Sequence, residues 1–334
     1  MRDRGRRWLA AWRLRSRDPV LLCQALAAAV LALCLFKPTF PWKAARFEHV
    51  VVLDVTQSMN VQDQALAERP VSRLEFAKHA LAQALQSLPC GSRLGWAIFT
   101  EYRSYLLFTP VEVCANRGEL LTTLALIDGR MAWSGNSEIA KGLHSGITIS
   151  KALPGTPSLV FISDGQEAPP LDLRNRPHFD DKPGEVAGLI VGVGELKASP
   201  IPKTDPQGRP LGFWGADEVS QADPRNQGRG ASVDGEKMVD DAAGPAGGGP
   251  GATPGSEHLS ALREAYLRLL AAENGFGFHR LRSVEAFAAA VSAPGLARPV
   301  EVRGDLRLGL MSLALLLLLI PYGFQFRARQ RSKP

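Results

Sequence analysis

The chain is 334 residues long, with 45% apolar and 22% charged residues, enough for one large domain or two small ones with a core of ordinary size. Its net charge of +6 first suggests nucleic acid, but residues 1–18 hold seven arginines against two aspartates (net +5) and residues 327–334 three arginines and a lysine (net +4), which leaves −3 for the middle. The basicity belongs to the two tails, so a nucleic-acid-binding core is excluded.

Each tail abuts an apolar run. Residues 19–36, PVLLCQALAAAVLALCLF, are 18 positions without a charge, and residues 308–326, LGLMSLALLLLLIPYGFQF, are 19. Both lengths suit the roughly 20 residues a helix needs to cross a bilayer. Two buried core helices would seldom be this apolar all round with basic residues on one side only. The expectation is two membrane helices, 19–36 and 307–326, with the tails 1–18 and 327–334 on the cytoplasmic side and the residues between them across a bacterial inner membrane, in the periplasm. LCLFKP offers no small-x-small cleavage site, so the first span is read as a retained anchor rather than a signal peptide. Cys23 and Cys34 within it are small hydrophobes.

From residue 47 the pattern changes to short apolar strands alternating with amphipathic helices. A strand over 47–53 runs into Asp54, and a helix over 72–88 carries Leu74, Ala77, Leu81, Leu85 and Leu88 on one face. RLGWAIF (93–99) and YLLFTPVEV (105–113) read as an antiparallel hairpin about the polar turn TEYRS. Helices over 117–128 and 138–152 flank the loop GRMAWSGNS, and strands follow at 158–163 and 188–194. Residues 195–256 break this rhythm and end in a Gly/Pro-rich insertion at about 215–256, read as a solvated excursion. Order returns with a helix over 257–275, in which Leu259, Leu262, Tyr266, Leu269 and Leu270 share a face and Gly275 is the terminator. A strand at 277–281 and a helix at 283–291 complete the series. This order predicts an α/β fold over 44–292: a doubly wound, mostly parallel central sheet with helices on both faces. Ligand sites in such sheets gather at the carboxyl ends of the strands.

The midpoint of Cys90 and Cys114 is 102, inside the hairpin turn. A hairpin pivoting there sets the two cysteines opposite one another at its open end, near the separation a disulfide tolerates. The alternative is two free thiols a register step apart. A bridge suits an oxidising compartment such as a bacterial periplasm.

Three loops at strand or helix ends carry oxygen ligands: Asp54, Thr56 and Ser58 after the first strand, Ser137 before the helix at 138–152, and Asp164 in ISDG after the strand at 158–163. If the backbone leaves the strand extended, positions 54, 56 and 58 point the same way. Two carboxylates with several hydroxyls make a hard-oxygen site suited to Mg²⁺, Ca²⁺ or Mn²⁺, without the soft ligands zinc prefers. Asp63 follows this loop and either supports the metal ligands from behind or, more simply, is a helix-start aspartate. Trp96 and Trp133 either pack in the core or rim the metal face, and His79 is read as solvent-facing.

These residues resemble the von Willebrand factor A domain family. Its metal-ion-dependent adhesion site, or MIDAS, uses a D-x-S-x-S loop, a threonine from a second loop and an aspartate from a third. Asp54-Val-Thr56-Gln-Ser58 matches the first with threonine for the first serine, Ser137 in GNSEIAKGL stands for the threonine, and Asp164 in ISDG for the third-loop aspartate. Asn136 and Ala140 replace common glycines, which puts Ser137 in a different setting. The resemblance implies that hydroxyls bind the metal directly and aspartates largely through water, leaving one position for a carboxylate from a partner protein. Within the family the likeness is to membrane-anchored BatA- and BatB-type members associated with MoxR-type ATPases, and to MxaL-type proteins of methanol dehydrogenase maturation. It implies assembly or maturation of periplasmic or envelope proteins, with other such domains and a MoxR-type ATPase as partners.

An enzyme reading fares worse. A phosphohydrolase of the haloacid-dehalogenase type needs a second carboxylate two residues after the first, where this chain has Thr56. There is no G-x-x-x-x-G-K-[ST] loop for a nucleotide, and no His/Cys/Asp constellation for nucleophilic catalysis. A third class is a membrane scaffold whose metal site has decayed; retention of all five oxygens argues against it.

Overall fold

The structure is a computed structural model that describes residues 19–171, 176–219, 237–238 and 255–331. The basic tail 1–18, most of the expected insertion at 215–256 and the end of the tail 327–334 lie outside the described residues. In chain order the principal elements are α1 (Pro19–Leu35), β1 (Thr39–Asp54), α2 (Arg73–Ser87), β2 (Arg93–Thr100), β3 (Arg103–Leu106), β4 (Val111–Glu112), α3 (Arg117–Leu126) and α4 (Ile139–Ala152). They continue with β5 (Ser158–Ser163), β6 (Gly188–Gly192), α5 (Glu264–Asn274), β7 (Gly277–Arg280), α6 (Val284–Val291), β8 (Ala297–Asp305) and α7 (Arg307–Arg331). The chain divides into two units, one over Ala45–Arg298 and one made of the residues before and after it.

In the larger unit the sheet order is β7-β6-β5-β1-β2-β3, with β4 also pairing β2. All pairs from β7 to β2 are parallel, and β3 and β4 run antiparallel to β2. The chain leaves β1 toward β2 on one side and later places β5 on the other, so β1 is the switch point where crevices open at carboxyl ends. Side chains of β1 alternate between two buried layers. Val51, Leu53 and Val55 join the layer with α2 and α6, while Val50 and Val52 join Phe99, Ile139, Leu143 and Tyr266 on the face of α4 and α5. The expected doubly wound architecture is thus present in this unit.

Local chemistry accounts for the element ends. Ser72 caps α2 by accepting from the Glu75 amide, and Ser283 caps α6 by accepting from the Ala286 amide. Gly275 closes α5 in the left-handed region at φ 68°, as its place after the last apolar residue predicts. Gly142 lets α4 approach the sheet: a Cβ there would sit 2.1 Å from the Phe99 ring. Trp96 is wholly buried and donates its indole N–H to the Leu120 carbonyl at 3.1 Å, whereas Trp133 is exposed and His79 faces outward.

The hairpin pivots as expected, with Thr100 paired to Arg103 and Arg93 to Glu112, and Cys90 is joined to Cys114 in a disulfide with a Cα separation of 5.3 Å. Its second arm is not one strand over 105–113: Pro110, which has no amide to donate, separates β3 from β4. The helix expected over 257–275 begins only at Glu264. Residues 258–263 are kept out of the helix, because Leu259–Ser260 pairs with Ser199–Pro200, the Leu262 amide donates to the Glu195 carbonyl and the Arg263 amide to the Asp164 carbonyl. Part of the expected excursion after 195 is ordered too, with Pro202–Thr204 paired to Pro210–Phe213.

In the other unit α1 packs against α7, and β8 pairs with β1. The two expected spans, 19–36 and 307–326, are helical, but among the described residues no helix is long and apolar enough to cross a membrane. The 17 residues of α1 extend about 26 Å against a hydrocarbon core of roughly 30 Å.

Candidate metal centre

β1 and β5 are adjacent and parallel, with Leu53 beside Ile162, so their carboxyl ends meet. The residues that follow, Asp54 and Ser163–Asp164, are therefore brought together at the switch point, all with no exposure. Asp54 Oδ2 accepts from Ser163 Oγ at 2.7 Å. Asp54 Oδ1 accepts from the Thr56 amide at 2.9 Å and from Thr56 Oγ1 at 2.7 Å. Strand alternation does not carry through to Ser58, because the chain coils into a 3-10 turn over Gln57–Asn60 that buries Met59 in the core. The turn still leaves Ser58 Oγ 3.4 Å from Thr56 Oγ1.

Ser137 arrives by backbone strapping. Its amide donates to the Ala168 carbonyl at 2.6 Å, the Ala168 amide returns a bond to the Ser137 carbonyl at 2.8 Å, and the Glu138 amide donates to the hairpin-turn carbonyl of Glu101 at 2.6 Å. Asn136 and Ala140 in place of glycines do not keep this loop from the site: Thr56, Ser58 and Ser137 line one cavity of about 240 Å³ with Gln166, Trp214 and Glu257. Ser137 is 3% exposed, and its Oγ has no hydrogen-bond partner.

The third loop is set by Gly165 at φ 79°, where a Cβ would also meet Leu267 Cγ at 2.9 Å. Asp164 Oδ1 accepts from the Gln166 amide at 2.9 Å, while Oδ2 takes Arg73 Nη1 at 2.5 Å and Ser260 Oγ at 3.1 Å. Arg73, at the first position of α2, is wholly buried. It also holds Asp63 through Nε and Nη2, and donates to the Ser58 carbonyl at 3.4 Å and the Ser260 carbonyl at 3.1 Å. Sequence reasoning missed Arg73, Ser163 and Ser260. An arginine beside Leu74 at the head of a buried helix face was the available signal for the first. Asp63 is not the simple helix-start aspartate but takes the other reading, as an ion-pair partner of the Arg73 that holds Asp164 and an acceptor for the Glu195 amide at 3.0 Å.

The two site carboxylates differ in surroundings. Burial, and after it the neighbouring Asp164 carboxylate, push Asp54 up to about 7 against the pull of Thr56 and Ser163. Burial also acts to raise Asp63, but the Arg73 guanidinium and the Glu195 amide outweigh it and hold that carboxyl below the usual range. Asp164 has its cation in Arg73; Asp54 meets only neutral donors in the bonds above. A buried hydroxyl without a partner on the cavity wall, and behind Thr56 of that wall a buried carboxylate short of positive charge, fit a hard divalent cation. Among the described residues no group of three or more His, Cys, Asp or Glu gathers; hydroxyls and carboxylates together are donors of the kind that Mg²⁺, Ca²⁺ or Mn²⁺ takes and zinc does not prefer.

Residues 49–166 match the family described as von Willebrand factor type A domain, a span that contains Asp54, Thr56, Ser58, Ser137 and Asp164. No curated protein matches the chain. Among solved structures it is similar to an aerotolerance-related membrane protein from Bacteroides fragilis, at 16% identity and a TM-score of 0.46, covering 73% of this chain and 96% of that one. It is similar also to a conserved hypothetical protein, BatB, from Bacteroides thetaiotaomicron, at 15% identity and a TM-score of 0.44, covering 74% and 95%. A membrane-spanning protein from Vibrio fischeri matches at 16% identity and a TM-score of 0.27, covering 72% and 95%. What the comparisons show is thus a segment, residues 49–166, that matches the von Willebrand factor type A domain.

Proposed function

We propose that this domain holds a divalent cation, Mg²⁺ or in its place Ca²⁺ or Mn²⁺, through Asp54, Thr56, Ser58, Ser137 and Asp164, and uses it to engage an acidic residue of a partner protein. The observation that carries the reading is the partnerless Ser137 Oγ on the cavity wall it shares with Thr56 and Ser58, at the strand ends where Asp54 and Asp164 are buried. A bound cation supplies a positive charge facing that cavity, which a carboxylate answers. The residues of the chain do the rest. Thr56 orients the Asp54 carboxylate, Ser163 holds its other oxygen, and Arg73 fixes Asp164. The protein is a binding module rather than an enzyme, since Thr56 stands where a phosphohydrolase needs its proton-transferring carboxylate.

The protein is anchored by α1 and α7 in a bacterial inner membrane, with the domain in the periplasm. Supporting this are the exposed leucines of both helices, Leu35 at 82% and Leu308 at 77% among them, and exposed Phe40 and Trp42 just beyond α1, where an aromatic belt belongs. The Cys90–Cys114 bridge suits that compartment. The process served is assembly or maturation of periplasmic or envelope proteins, a methanol dehydrogenase-type metalloenzyme being one such client, with other domains of this family and a MoxR-type ATPase as partners. Cross-linking in native membranes tests the reading. Partners recovered in Mg²⁺ should be lost both in EDTA and in Asp54→Ala; partners retained equally in all three samples would refute metal-dependent engagement.

A further inference from the structure

The cavity at the candidate metal centre has one wall that lies outside the family match. The five candidate oxygens fall within 49–166, whereas Glu257 comes to the same cavity from much later in the chain, beside Thr56, Ser58 and Ser137. Glu257 is 5% exposed. Its Oε2 accepts from Gln166 Nε2 at 3.1 Å, and the Gln166 amide donates to Asp164 Oδ1 at 2.9 Å. Two links therefore join Glu257 to one of the candidate metal carboxylates. Gln166 is itself oriented by Arg263, whose Nε donates to its Oε1 at 3.1 Å.

The segment that carries Glu257 is tied to the site rather than resting against it. The Ile201 amide donates to the His258 carbonyl at 3.1 Å, Leu259–Ser260 pairs with Ser199–Pro200, and Ser260 Oγ donates to Asp164 Oδ2. Because the helix begins only at Glu264, Glu257 lies in a turn ahead of the Leu259–Ser260 strand and lines the cavity instead of a helix surface. Ligand charge count is one of the quantities that tune affinity in hard-cation sites, and a buried carboxylate on the same cavity as a partnerless hydroxyl is placed to add to it.

We propose that Glu257 is a ligand of the metal centre supplied by the chain itself, at the position that the proposed function leaves to a partner's carboxylate, and the inference rests on that reading. The site is then closed at rest, and a partner's acidic residue gains the cation by displacing Glu257. Metal affinity and partner access oppose one another in this side chain: removing its charge weakens the hold on the cation and opens the coordination position.

The full-length protein titrated with Mn²⁺ tests this, with affinity and the number of metal-bound waters read from proton relaxation, on wild type, Glu257→Gln, Glu257→Asp and Asp54→Asn. Glu257→Gln keeps the Gln166 bond and should melt with wild type in EDTA, bind Mn²⁺ about tenfold more weakly or worse, and gain a metal-bound water, with Glu257→Asp recovering part of the affinity. Wild-type binding with unchanged affinity in Glu257→Gln overturns the proposal. So does weaker binding without an added water, since Glu257 then acts through Gln166 as a positioning residue. If Glu257→Gln does not fold, the water count of Glu257→Ala decides in its place: an added water supports the proposal, and a wild-type count overturns it. A wild type that binds no Mn²⁺, or binding unaffected by Asp54→Asn, defeats the proposed function itself and this inference with it.

Discussion

Replacing Asp54 by asparagine should raise the stability of the metal-free protein while abolishing its response to metal. The carboxyl is pushed from 3.8 up to about 7 by burial and the neighbouring Asp164. At about 1.36 kcal/mol per pKa unit, holding it ionised at pH 8 without a cation costs roughly 4 kcal/mol. Asparagine removes that cost and keeps an oxygen for the Thr56 amide and hydroxyl, but its NH₂ meets Ser163 Oγ, which must rotate to accept, at a cost of about 1 kcal/mol. The net gain is on the order of 3 kcal/mol, or about 6–12 °C in Tm for a domain of this size. The sign with pH follows from the raised folded value. Between about 4 and 7 the folded state holds a proton that the unfolded state has lost, so the Asp54 contribution weakens metal-free wild type as pH rises through that window. Thermal unfolding of the full chain in EDTA, wild type against Asp54→Asn from pH 5 to 8, gives this as a difference that cancels the other titrating groups. In Mg²⁺ at a hundred times its Kd, wild type should gain about 2.7 kcal/mol and the variant nothing. A variant that melts below wild type in EDTA, or that keeps the metal-induced rise, would refute the reasoning.

Arg73→Met should destabilise the fold by about 3–5 kcal/mol, because Asp63 and Asp164 lose the cation they share; denaturant unfolding checks it, and adding Asp164→Asn should recover part of the loss. Opening the Cys90–Cys114 bridge by Cys90→Ser releases a loop with a sequence separation of 24 and should cost about 3 kcal/mol, measured against wild type in non-reducing urea. His49 is held neutral at about 4, first by burial against the pull of the Val291 carbonyl, so its contribution to stability is complete above about 6.5 and is lost as pH falls toward 4. The loss approaches about 3 kcal/mol, and the difference between wild type and His49→Gln unfolding should flatten above pH 7.

Strand and helix order was legible because hydrophobic period and loop chemistry agreed. The run His49–Leu53 into Asp54, and SLVFIS into Asp164, announced buried strands ending in carboxylates, and parallel pairing does the rest by bringing their ends together. The disulfide followed from a hairpin pivot that sequence spacing alone locates. Residues 257–263 misled because their apolar spacing suits a helix, while the backbone bonds that keep them out of one come from Asp164 and residues 195–201, about sixty positions earlier or more. Leu267 is buried in α5 where Leu269, expected on the inward face, is half-buried, since the helix starts late and is set against Gly165 and Gly192. Arg73 was harder to read for a related reason: its place beside Leu74 at the head of a buried helix face hints at burial, but the two aspartates it spans lie far apart in sequence.

The central claim is that Asp54, Thr56, Ser58, Ser137 and Asp164 hold one divalent cation. Electron paramagnetic resonance of free Mn²⁺ during titration of the full-length protein tests it most directly, with Mg²⁺ as competitor. The account predicts a single saturable site per chain that Mg²⁺ displaces and that Asp54→Asn and Ser58→Ala each empty. Mn²⁺ that stays free in the presence of wild type, or that binds the two variants as it binds wild type, would contradict it.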